Sequence, residues 1–119
     1  MIRPRVLLAD DHPALLEATI ALLKPQFDVV GTATDGATLV AEALRLCPDV
    51  IVTDITMPVM SGIEAAHQLR ESAPSAKIVF LTIHSEAQFV KACSEEGALG
   101  YVIKSQMKAH LIPGSVLID

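Results

Sequence analysis

Val50-Ile51-Val52-Thr53-Asp54-Ile55-Thr56-Met57-Pro58 delivers one carboxylate to the head of a loop. From Val50 to Thr53 polar and apolar residues do not alternate, which is the pattern of a strand buried on both faces of a parallel sheet. Asp54 ends that strand. Met57-Pro58 then forbids an immediate helix, because the residue before a proline is driven out of the α region. Ligands of open parallel sheets bind at the carboxyl ends of the strands. Taken alone, Asp54 reads more readily as the start of a turn than as a site of chemistry, so its meaning depends on what the other strands bring to the same edge.

Upstream, Val6-Leu7-Leu8-Ala9 reads as a first buried strand that ends in the adjacent acids Asp10 and Asp11. Pro13 suits the first turn of a helix, which leaves His12 outside it. That helix buries Leu15, Leu16, Ile20 and Leu23, with Thr19 as its one polar member, and stops before Pro25. Phe27 to Ala33 forms a second strand. Asp35-Gly36 turns into a helix bearing Leu39, Val40, Ala43, Leu44 and Cys47, closed by Pro48. Downstream of Asp54, Ser61-Gly62 leads into a helix with Ile63, Ala66, His67, Leu69 and Arg70 that ends near Pro74. Lys77 to Thr82 is a fourth strand, a helix runs from Ser85 or Glu86 to Gly97, and Leu99 to Ile103 is a fifth strand ending at Lys104. A short last helix, Gln106 to Ile112, meets Pro113-Gly114, the two poorest helix residues. Strands alternating with helices predict an α/β fold with a parallel sheet covered on both faces. Right-handed crossovers restrict it to a few doubly wound orders.

The 119 residues fit a single domain spanning 1–119, with no second or output domain. Hydrophobic residues make up 51% and aromatics 3%, so the core must be aliphatic. The formal net charge is −5 and no Lys/Arg cluster is present, which argues against nucleic-acid binding by this domain alone. Cys47 and Cys93 lack metal-ligand spacing and read as reduced cytosolic thiols. With no signal-peptide pattern and no apolar run near 18 residues, the expectation is a cytoplasmic protein that does not enter a membrane.

The strand termini carry the chemistry. Asp10-Asp11, Asp54, Thr82 and Lys104 end strands one, three, four and five, all at one edge if the sheet is parallel. Each residue singly has an ordinary reading: Asp11 as a helix cap, Thr82 as a strand residue, Lys104 as a solvated charge. Jointly they converge on one crevice. Two carboxylates about 5 Å apart at an effective dielectric near 20 repel by roughly 3 kcal/mol, so the cluster needs a counter-charge. An all-oxygen set without Cys/His spacing suits Mg²⁺ rather than zinc. Lys104 can neutralise remaining charge and the Thr82 hydroxyl can donate to an added oxygen, a set suited to phosphoryl transfer onto a carboxylate. Of the four histidines only His84 reads as belonging near this site. His12, His67 and His110 read as surface or packing residues.

These residues, together with Met57-Pro58, Gly62 and Gly100-Tyr101 before Lys104, make the chain resemble the response regulator receiver domains of two-component signalling over nearly its whole length. The resemblance implies a flavodoxin-like five-stranded sheet in the order 2-1-3-4-5. It implies phosphorylation of Asp54 by a phosphohistidine on a sensor histidine kinase or phosphotransfer protein. Mg²⁺ would be bound by Asp10, Asp11, Asp54 and the Thr56 carbonyl, with Lys104 and Thr82 assisting and Thr56, Ile83 and His84 flanking the phosphoryl site. The Asp-Asp-His-Pro opening is similar to the branch usually joined to a helix-turn-helix DNA-binding domain. Such a domain is a switch rather than an enzyme of metabolism, since it catalyses only its own phosphorylation and dephosphorylation. Movement of Thr82 toward the phosphoryl group would let Tyr101 turn and alter the partner-binding face.

Ile83 departs from the small residue typical after the switch threonine, Ser105 stands where proline is frequent, and Pro113-Gly114 shortens the last helix. That shortening would expose apolar surface to the Val116-Leu117-Ile118 tail or to a second copy, and a homodimer is the favoured outcome. Two other functions compete with the switch. An aspartate-nucleophile phosphohydrolase would need a second Asp where Thr56 stands. A pseudo-receiver serving as a protein-interaction module would not need the intact acid set.

Overall fold

The computed structural model describes residues 3–55, 57–72, 75–82 and 100–103, with residues 82 and 100–103 described as backbone. The expected helices at 85–97 and 106–112, including the shortened last helix, lie outside the described residues, as do Cys93 and the 113–119 tail. Within them the elements run β1 (Arg5–Ala9), α1 (Pro13–Leu23), β2 (Asp28–Ala33), α2 (Gly36–Leu46), β3 (Val50–Asp54), α3 (Gly62–Ser72), β4 (Lys77–Thr82) and β5 (Gly100–Ile103). All pairings are parallel, and the strands lie in the order β2-β1-β3-β4-β5.

The unbroken apolar runs of β1, β3 and β4 are explained by burial on two sides. Leu7, Ile51, Ile78 and Phe80 face one core with Leu39 and Ala43 of α2 and Ala65, Ala66 and Leu69 of α3. Val6, Leu8, Val52, Val79 and Leu81 face the other, where Leu23 is buried and Leu15, Leu16 and Ile20 of α1 pack half-buried. Thr19 is tolerated inside because its hydroxyl donates to the Leu15 carbonyl at 2.8 Å, so no polar atom is stranded. In β2, at the edge of the sheet, the register slips between Val6 and Leu7, which accommodates Val30 as an extra residue.

Proline and capping chemistry set the helix ends. Pro13 opens α1, and Lys24 caps it before Pro25. Asp35 caps α2 by accepting from the Thr38 amide at 2.8 Å. Ser61 opens α3, its hydroxyl oxygen accepting from the Glu64 amide at 3.1 Å. One expectation is corrected at the end of α2. Cys47 is not part of the buried stripe: it is an exposed C-cap with left-handed backbone, φ 49°, and Leu44 is also exposed. Leu46, in the same last turn, still packs against the core, and Pro48 beyond the cap is buried.

Candidate functional site

In the order 2-1-3-4-5 the chain leaves β1 toward β2 on one side and reaches β3 on the other, so the crevice lies between the carboxyl ends of β1 and β3. Ala9 pairs with Thr53, which brings Asp10 level with Asp54. The pairing of Asp54 with Leu81 puts Thr82 one residue past that level on β4. Tyr101 pairs with Phe80, two residues short of the Thr82–Ile103 pair. The side chains of Thr82 and Tyr101, and the whole of Thr56, Ile83, His84 and Lys104, lie outside the described residues.

Asp10, Asp11, His12 and Asp54 each offer one ligand atom, and these atoms all lie within 4.8 Å of one another. Two of the four are out of water: Asp10 is 1% and Asp54 6% exposed. Asp11 keeps 32% of its side chain accessible, yet its Oδ1 atom is buried and among the described residues receives no well-directed hydrogen bond. Asp11 does not cap α1. His12 holds the N-cap position, without a side-chain capping bond.

His12 is the site residue that sequence reasoning placed elsewhere. Its amide donates to Asp10 Oδ1 at 2.9 Å, and its ring Nδ1 stands 3.0 Å from both Asp10 Oδ1 and Asp11 Oδ1. The ring is otherwise 66% exposed. Its signal was positional. A histidine fixed outside the helix by Pro13 directly follows two acids, and its ring can fold back on them.

Residues 57–61 are held close to the end of β3. The Gly62 amide donates to the Ile55 carbonyl at 2.7 Å, and a Cβ on Gly62 would overlap the Asp54 carbonyl oxygen. The loop is also held from α2, because a Cβ on Gly36 would overlap the Met60 carbonyl. Met57 is buried, and Met60 packs against the same core. Between these anchors the Met60 amide donates to the Pro58 carbonyl at 2.7 Å, a γ-turn centred on Val59 with φ 68°. Turns of this hand are rare and strained. For a β-branched residue the left-handed region costs roughly 1–2 kcal/mol. Val59 is nonetheless 85% exposed, so its side chain recovers none of that cost within the described structure.

The profile of the response regulator receiver domain family matches residues 6–113. The chain belongs to this family. It is 40% identical over 110 residues to the transcriptional regulatory protein YxjL of Bacillus subtilis, covering 91% of this chain and 50% of that protein. A two-component response regulator of the LuxR family from Aurantimonas superposes with a TM-score of 0.87 at 34% identity, over 93% of this chain and 81% of that one. The Borrelia burgdorferi CheX–CheY complex containing BeF₃ and Mg²⁺ gives a TM-score of 0.83 at 25% identity, over 89% and 84% of the two chains. This receiver domain thus resembles those of transcriptional regulators rather than metabolic enzymes, and it spans about half the length of the curated relative. Receiver domains act in two-component signalling with kinases or phosphotransfer partners. Among the described residues no helix is long and apolar enough to cross a membrane.

Proposed function

We propose that this receiver domain is a phosphoacceptor switch in which Asp54 takes a phosphoryl group from a phosphohistidine on a sensor histidine kinase or phosphotransfer protein. The observation that carries the reading is the convergence of three carboxylates within 4.8 Å at the switch point of the sheet, with Asp54 nearly buried at the end of β3. The site fits Mg²⁺ on the chemistry of its donors. Carboxylate oxygens are hard ligands, and the buried Asp11 Oδ1 shares a single ring nitrogen with Asp10 Oδ1, so one donor faces two acceptors. Asp10, Asp11 and Asp54, with the Thr56 carbonyl, would hold the ion. Bound there, Mg²⁺ would offset the clustered negative charge and polarise the oxygens of an incoming phosphoryl group.

The chain's own residues supply the remainder. A carboxylate oxygen of Asp54 attacks phosphorus while the bond to the donor imidazole nitrogen breaks, leaving an acyl phosphate on Asp54 and a neutral imidazole once that ring has taken a proton. Burial favours this by keeping the reacting carboxylate poorly hydrated. Lys104 and the Thr82 hydroxyl engage the phosphoryl oxygens, with Thr56, Ile83 and His84 around them. The threonine's displacement gives Tyr101 room to turn and reshape the partner face. This receiver domain acts in the cytoplasm, and its only catalysis is on itself.

Intact-mass measurement after exposure to acetyl phosphate with Mg²⁺ tests the reading. A gain of one phosphoryl group, localised to Asp54 by peptide mapping, is expected. An unmodified chain, or a label on another residue, would refute it.

A further inference from the structure

Val59 holds a backbone conformation that a glycine would adopt without cost, yet it projects a branched apolar side chain into solvent at 85% exposure. Strain at a site fixed by its surroundings points toward function when nothing inside the fold uses it. Here the surroundings do fix it. Gly62 sits against the Asp54 carbonyl and Gly36 against the Met60 carbonyl, while Met57 and Met60 anchor in the core, so the tip between them has one path. That path turns Val59 out into solvent.

How close it stands to Asp54 follows from chain length. Val59 is three residues from Gly62, which touches Asp54, so its Cα lies within about 14 Å of that residue even if the chain between were fully extended. A protein interface of standard size covers about 800 Å² per partner, a disc of roughly 16 Å radius. An interface of that size centred on Asp54 therefore extends as far as the tip of this loop. The only other large apolar side chain exposed among the described residues, Leu44, is at the far end of α2, away from the acids.

Building on the phosphoacceptor reading, we propose that Val59 is a contact residue for the phosphoryl-donor protein, held out by a strained turn to meet an apolar surface flanking that protein's phosphohistidine. The partner surface is apolar because a valine offers no hydrogen bond, and its burial gives energy only against apolar atoms. A small phosphodonor makes no such contact, so the two donor classes separate binding from chemistry.

The test uses the full chain with two substitutions, Val59→Gly and Val59→Asn. Both accept positive φ, the first removing the side chain and the second replacing it with a polar one of similar size. The protein donor is the autophosphorylated cytoplasmic portion of whichever sensor histidine kinase, in a purified panel, labels the native chain fastest. Both variants are expected to melt at or above the native temperature and to be labelled by acetyl phosphate at the native rate. Transfer from the kinase should slow by at least about fivefold, the change that marks a residue carrying interface energy. Native transfer rates from the kinase would overturn the contact, and so would an equal slowing with both donors, which would place the effect at Asp54 itself. A native chain labelled by acetyl phosphate but by no kinase in the panel would instead overturn the donor assignment on which the inference rests.

Discussion

Asp54 is the residue at which the chemistry can be tested with least disturbance, because an amide is nearly isosteric with a carboxylate and a poor nucleophile. Asp54→Asn should lose phosphoryl labelling from acetyl phosphate while retaining the native circular dichroism spectrum. Labelling of the variant at a comparable rate would mean that another residue accepts the group. Asp11 offers a second test, because it stands in a like-charged cluster and is the acid most open to water. At 4.8 Å and an effective dielectric near 20 a carboxylate pair repels by roughly 3 kcal/mol, less for Asp11 given its exposure. Asp11→Ala should therefore raise the melting temperature in chelator and shrink the further rise that Mg²⁺ produces. An undiminished Mg²⁺ response would remove Asp11 from the ion's ligands. The acids were legible at this scale because they stand where the buried strand runs end. His12 was not, since its ring direction depends on the backbone turn between Asp10 and Pro13.

Among the elements, the start of α3 gives the sharpest contrast between propensity and packing. Replacing a helical glycine by alanine gains about 1 kcal/mol in propensity. At Gly62 the added methyl would meet the Asp54 carbonyl and crowd the Thr53 hydroxyl, so backbone must move. Overpacking of this kind costs about 1–3 kcal/mol. Gly62→Ala is expected to lower the urea midpoint, and because the displaced carbonyl belongs to Asp54, to slow acetyl phosphate labelling as well. A more stable variant with native labelling would show that the loop relaxes freely. Hydrophobic period and proline positions had already marked the described helices. They misplaced Leu44, which lies on the exposed side of α2, and Cys47, where the left-handed C-cap takes the chain off the helical period.

At the scale of the whole domain, the two cores share one sheet, whose pairing joins the carboxyl edge of β3 through β4 to β5. Mg²⁺ at ten times its dissociation constant stabilises a domain that binds it only when folded by about 1.4 kcal/mol. For a chain of this length that is a melting shift of about 5 °C. Adding a beryllofluoride mimic of the phosphoryl group with Mg²⁺ should move amide resonances along β4 and β5, Tyr101 among them. Perturbations confined to Asp10, Asp11 and Asp54 would mean that the switch does not reach the partner face.

The sequence by itself determined the alternation of strands and helices, the parallel sheet buried on both faces, and the set of acids at its carboxyl edge. These follow from local patterns: β-branched runs, proline stops, and charges placed where the runs end. Strand order could be anticipated only from the family resemblance, since pairing joins residues far apart in the chain and leaves no local mark. Only the tertiary structure decided that β1 and β3 are neighbours in register, which sets Asp10 level with Asp54. It alone folded the His12 ring onto both N-terminal acids and clamped the loop through Gly36 and Gly62 so that Val59 is forced outward. Such arrangements are fixed by close approach between distant backbone segments, which no single stretch of sequence encodes.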